Sequence, residues 1–154
     1  MPTQPTAADA EVILKLYDLR REGEMRKARN WWLTTFWPQS VDDFLKIANA
    51  MGTQENNWLR QVTGYWEMAA SMVVHGAVHH DLFLEPSFCG EMFFILAKTR
   101  PFLNELREKL GSPSMMSNIE RVANLTEASR DRLKQFEGRV ATRRKAMQEA
   151  AKAS

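Results

Sequence analysis

Between Thr53 and His75 the apolar residues Leu59, Val62, Trp66, Ala69 and Val73 recur at steps of three and four. That spacing keeps them on one face of a 3.6-residue helix, whereas a half-buried strand would alternate every second residue. Trp58, Tyr65, Met68 and Met72 widen the stripe. A helix apolar around so much of its surface has to be covered on several sides, which makes it the centre of a bundle. No segment sustains strict alternation, and glycine and proline number only 7 and 6. The predicted fold is all-α, a bundle of four or five helices with a long C-terminal helix.

Punctuation divides the rest of the chain. A first helix is predicted from about Ala8 to Phe36, bending near Gly23, with "DLRREGEMRKAR" as its wet face. Pro38 ends it, because proline disfavours helical geometry in the residue before it. "SVDD" at Ser40 reads as a capping box for a short helix to Met51, which Gly52 stops. Gly76 is placed at the end of the central helix. The third helix, from about Ser87 to Leu110, has to kink or split at Pro101, with Thr99 as a cap for the second piece and Gly111 as its stop. The last helix is predicted from Ser112 or Ser117 almost to the end, with "SNIE" at Ser117 as a further capping box. Beyond Gly138 apolar anchors are sparse: Val140 and Met147 are the large ones. The expected organisation is therefore a loose N-terminus at 1–7, a helical bundle at 8–138 and a projecting helical arm at 139–154.

Charge and cysteine content narrow the function classes. The chain has 21 basic and 19 acidic residues, a formal charge of +2. A dedicated nucleic-acid binder needs a clearer basic excess for its phosphate contacts. One cysteine, Cys89, cannot close an internal disulfide, which suits a reducing compartment. The start "MPTQPTAADA" lacks the basic and apolar blocks of a signal peptide. The longest apolar run, Met68 to Val74, is interrupted by Ser71 and is far short of a membrane span. The expected location is cytoplasmic. Phosphate loops, dinucleotide fingerprints and paired-cysteine zinc motifs do not occur in the sequence.

The candidate chemistry lies in "GYWEMAASMVVHGAVHHDLFLE", Gly64 to Glu85. His75 and His79 are four apart, the spacing that lets two imidazoles share a metal on one helix face. Gly76 between them breaks such a helix, and the pattern is H-x-x-x-H, lacking the glutamate of the zinc-protease signature. His79, His80 and Asp81 then read as a wet turn opening a short helix. No metal and no cofactor are expected, and His75, His79, His80 and Asp81 stand only as weak acid–base or metal candidates. Glu67 sits among large apolar groups in "YWEMAA", where a carboxylate has to be paired or protonated. A partner from another helix that fixes register is the expected role, with a general acid as the alternative. Cys89 reads as a small buried apolar group. The five tryptophans read mostly as core. The basic stretches at 26–29 and 142–145 read as solvated helix faces.

That stretch, followed by "CGEMFFILAKTRPFLNELREKLG", resembles bacterial proteins grouped only as a domain of unknown function. The resemblance covers about residues 55–110. It rests on Trp66-Glu67, His75-Gly76, Asp81 opening the next short helix, and Pro101 within a later one. It implies an all-helical bacterial protein. Many relatives carry an N-terminal membrane helix, none is expected here, and the resemblance implies no activity or catalytic residue.

The functional expectation is a small non-enzymatic helical interaction protein, an adaptor or accessory subunit, engaging a protein partner or a second copy through the C-terminal helix. The alternative is an enzyme or metal protein built on Glu67 and the His75, His79 and His80 turn. A weaker one is a nucleic-acid or membrane-surface binder.

Overall fold

Thr6 opens the first helix, its hydroxyl accepting from the Asp9 N–H while the Asp9 carboxylate accepts from Thr6 N. This reciprocal pair satisfies donors that no helix can satisfy for itself. A computed structural model describes residues 3–154. The order is α1 (Ala7–Leu19), α2 (Gly23–Asn30), α3 (Val41–Ala48), α4 (Gln54–Val74), α5 (His80–Phe83), α6 (Pro86–Thr99), α7 (Leu103–Leu110), α8 (Ser117–Ala123) and α9 (Glu127–Ala153). The fold is all-α, with α9 as the long C-terminal helix.

Helix α4 is central. It packs against α2, α3, α8 and the turn that follows α2, while α6 packs against α9 and α8. Leu59, Val62, Trp66, Ala69 and Val73 are all buried, as their spacing requires. The helix stops at His75, and Gly76 takes a left-handed backbone, φ 76°, that a side chain would strain. Gly111, φ 61°, closes α7 in the same way.

Three expected helices are subdivided. The first is broken at Arg20–Glu22, where the Glu22 carboxylate accepts from the N–H groups of Glu24 and Met25 and starts α2 afresh. Helix α2 then runs straight into a π turn, Trp31–Thr35, closed by Phe36 N–H donating to the Trp31 carbonyl at 2.8 Å. The wider turn brings two consecutive tryptophans inward: Trp31 stacks on Phe36 at 4.5 Å and Trp32 meets it edge-on at 5.0 Å. At Pro101 the third helix splits through a 3-10 turn, Arg100–Phe102. Thr99 does not cap the second piece, since its hydroxyl donates back to the Ile95 carbonyl. The last helix divides at Asn124–Thr126, and Thr126 with Ser129 forms a capping box that starts α9.

Two predicted caps also change. Ser40 does accept from Asp43 N–H, but the Asp43 carboxylate accepts from Gln39 N–H instead of closing the box on Ser40. At "SNIE" there is no box at all. Met116 occupies the left-handed region, φ 56°, placing Ser117 inside the first turn of α8. The cap comes from another helix, as described below.

Residues 139–154 continue α9 past Gly138 without a break. Val140 is buried, and Arg144 donates to the carbonyls of Pro38 and Lys98. The expectation of an arm with no cover from its own bundle is thereby corrected for its first half. The last hydrogen bond to the bundle among the described residues is Gln148 with Gln39 at 3.2 Å. Among the described residues no helix is long and apolar enough to cross a membrane.

Candidate functional site

Glu67 is half-buried on α4 and faces α8. Oε1 accepts from Asn118 N at 3.0 Å and Asn118 Nδ2 at 2.9 Å, and Oε2 accepts from Ile119 N at 3.1 Å. The carboxylate is therefore the N-cap that Met116 cannot provide, delivered from a different helix. Negative charge is favourable there, because the free N–H groups of a first turn are a partial positive charge.

The histidines separate. His75 lies exposed at the end of α4. His79 is buried and caps α5, its Nδ1 accepting from Asp81 N at 3.2 Å while its own backbone N–H donates to Asp9 Oδ1 at 2.8 Å. His80 stacks on His79 with ring centroids 4.7 Å apart and places Nε2 3.2 Å from Asp81 Oδ1. His79, His80 and Asp81 thus bring ligand-type atoms within 4.8 Å of one another. His79 Nδ1 already accepts from Asp81 N, so in the neutral ring Nε2 carries the proton.

Cys89 is buried, and burial pushes its thiol up to about 11. Arg132 Nη1 reaches its sulfur at 3.3 Å, and the same guanidinium donates to the carbonyls of Leu84 and Pro86. A thiol held protonated at neutral pH is a poor nucleophile. The basic stretches are partly consumed as well: Lys27 pairs with Glu24 at 2.7 Å, Arg29 with Glu91 at 2.8 Å, and Arg144 with backbone carbonyls.

The densest polar constellation is one that sequence reading passed over. Glu91, on α6, is almost fully buried. Its Oε1 accepts from Trp66 Nε1 at 2.8 Å and its Oε2 from Arg29 Nε at 2.8 Å. Beside it Arg20 is 5% exposed. Arg20 Nη1 donates to the Phe88 carbonyl at 3.0 Å, and its guanidinium lies 4.7 Å from the Tyr17 ring, 5.5 Å from Trp66 and 5.1 Å from Phe88. Arg20 Nε has no hydrogen-bond partner among the described residues. Tyr65, pushed up to about 12 by burial, stays a neutral donor to the Leu16 carbonyl. Arg20, Arg29 and Glu91 line a cleft of about 490 Å³ whose walls include Tyr17, Leu33 and Phe136. The carboxylate is already spoken for by Trp66 and Arg29. Glu91 sits in "CGEMFFIL", a charge inside an apolar run, and that signal is the same one that singled out Glu67.

Lys98, a second charge in such a run, is fully buried. Nζ donates to the carbonyls of Trp32 and Phe36, closing the end of the π turn, and lies 3.9 Å from the Trp37 ring and 4.5 Å from Phe94. Burial, with the charge of Arg144 behind it, brings its amine down to about 7.

A family model for a domain of unknown function, DUF4760, matches residues 5–126. The chain belongs to that family. The DUF4760 match runs from before α1 to the cap of α9, so it contains Trp66, Glu67, Glu91, Arg20 and Arg29, while Phe136 and Arg144 lie on the helix beyond it. No curated protein and no solved structure matches the chain.

Proposed function

We propose that this DUF4760 chain is a non-enzymatic helical interaction protein, and that its partner, another polypeptide, docks on the face formed by α1 and the π turn. One observation carries the reading. Leu14 is 67% exposed, Tyr17 50% and Leu33 38%, and Tyr17 and Leu33 flank the same cleft. Leu14 and Tyr17 are three apart on α1, so they share its outer face. Large apolar side chains gathered around a concave site, with arginine among them, have the composition of an interface centre. Meanwhile the buried charges Glu91 and Lys98 and the half-buried Glu67 each serve internal hydrogen bonds, which supports structural roles for them. A buried, lone, protonated thiol supports placement in a reducing compartment such as the cytoplasm.

The test is site-specific photo-crosslinking in the cells that make the protein. A photoreactive residue at position 14 or 33 is expected to give a discrete adduct with one other polypeptide. The same residue at exposed position 51, outside the cleft, is expected to give none. Equal labelling at all three positions would reject the reading.

A second reading rests on the close approach of His79, His80 and Asp81. A zinc isotherm of one ion per chain that disappears in His80→Ala would support it. A flat titration removes it.

A further inference from the structure

The chemistry of the cleft says what the partner brings. Two guanidinium groups and one carboxylate line it. Glu91 spends Oε1 on Trp66 and Oε2 on Arg29 Nε, so it neutralises at most one of the two cations. Arg29 engages only Nε among the described residues and its side chain is 27% exposed, which leaves the paired terminal nitrogens of its fork without a hydrogen-bond partner there. Arg20 is held in place by Phe88 and three aromatic rings, and its Nε is unpartnered. Burying a guanidinium with an unused donor is costly, and burial together with the positive charge of Arg29 pulls the Arg20 pKa below its ordinary value despite the opposing effects of Tyr65 and Glu91. The neighbouring wall adds cations: the guanidiniums of Arg132 and Arg139 lie 5.9 and 5.2 Å from the Phe136 ring. The cleft therefore combines excess positive charge with aromatic and aliphatic surface, and a planar guanidinium fork matches a planar carboxylate in two parallel hydrogen bonds.

We propose that Arg29 and Arg20 form a receptor for an aspartate or glutamate side chain of the docking partner, presented next to a large apolar or aromatic residue that fills the wall of Tyr17, Leu33 and Phe136. This rests on the interaction reading above and specifies its partner. Arg29, the more open of the two, makes the bidentate contact. Arg20, locked by packing, supplies fixed positive charge below it.

The probe is a library of amidated, acetylated hexapeptides carrying one central glutamate between randomised apolar and aromatic residues, selected on the immobilised full-length chain beside an otherwise identical library with central glutamine. Glutamate peptides with an aromatic or leucine neighbour are expected to be retained about tenfold over their glutamine counterparts. Arg29→Met, checked for an unchanged helical spectrum, is expected to erase that preference while keeping the apolar selection. Leu33→Glu, a change at an exposed position, places a carboxylate in the cleft from the chain itself and is expected to depress glutamate retention without unfolding. Equal retention of the two libraries, or no retention, overturns the receptor. So does phenylacetate displacing the selected peptides at the peptides' own concentration, since the cleft would then be a small-molecule site. The crosslinking at positions 14 and 33 reads docking independently. An adduct there with no glutamate preference rejects the receptor and leaves the docking face standing.

Discussion

Lys98 shows how a single side chain can make the whole fold depend on pH. Its ordinary value is 10.5 and burial brings it to about 7, so between those values the unfolded chain carries a proton that the folded chain does not. The state with fewer protons gains as pH rises, and stability should climb from about pH 7 toward 10.5, by at most about 1.4 kcal/mol per unit. As a neutral amine Lys98 still has two N–H bonds for the carbonyls of Trp32 and Phe36. Lys98→Met removes both and strands two acceptors, at an expected cost of about 1–3 kcal/mol at pH 9. Urea midpoints measured at pH 7 and 9.5 check both statements: the rise seen in the parent chain should be missing from the variant. Glu67 makes a milder case, because it is only half-buried. Glu67→Ala removes the cap of α8 and its bond to Asn118, and thermal melts should show a loss of about 1–2 kcal/mol.

Individual elements differ in how they are held. Helix α1 buries Leu16, packs Val12 and Ile13 against the core, and is further fastened by polar clasps: Asp9 to His79 N, the Leu16 carbonyl to Tyr65, and Arg20 to the Phe88 carbonyl. Helix α9 is a single unbroken run in which Gly138 faces open space; a methyl group there meets nothing within 4 Å. Gly138→Ala should add about 0.5–1 kcal/mol by lowering the entropy of the unfolded chain, readable as a raised melting temperature. Legibility follows the same divide. Helix α4 and the glycine stops at 76 and 111 were readable because period and φ are local properties. The break at Arg20–Glu22 falls directly before Gly23, where a bend was expected. The one at Asn124–Thr126 carries no glycine or proline, and Thr126 and Ser129 fit an apolar step as well as a cap. The cap of α8 was invisible because the carboxylate that accepts from its first turn is 51 positions away. Within the site, Glu91 and Lys98 announce themselves as charges inside apolar runs. Arg20 and Arg29 sit in a stretch of mixed charge, and only the tertiary fold decides which two of its arginines turn inward.

At the scale of the molecule, α9 joins what would otherwise be separate faces. Arg132 fastens the segment from Leu84 to Cys89, Arg100 pairs with Glu137 at 2.6 Å, and Arg144 ties Pro38 to Lys98. Removing residues 149–154, which are exposed and make no hydrogen bond to the bundle among the described residues, should leave the melting temperature within a degree or two. Removing 139–154 takes away Val140 and Arg144 and should cost about 2–4 kcal/mol. The π turn has an effect of another kind. A five-residue repeat is an α-helix with one residue too many, and such a turn can relax to the ordinary repeat if that residue is lost. Dropping Thr34, which is exposed and whose hydroxyl bonds only to Asn30 and Thr35 among the described residues, would give the chain that option. Everything upstream would then swing about the helix axis by roughly 100°, the angle of a single residue, and Arg29 would leave Glu91. A chain shortened at this one point is expected to stay helical by circular dichroism yet lose its sharp thermal transition, so in this family the spacing between Arg29 and Lys98 should admit substitutions far more readily than changes of length.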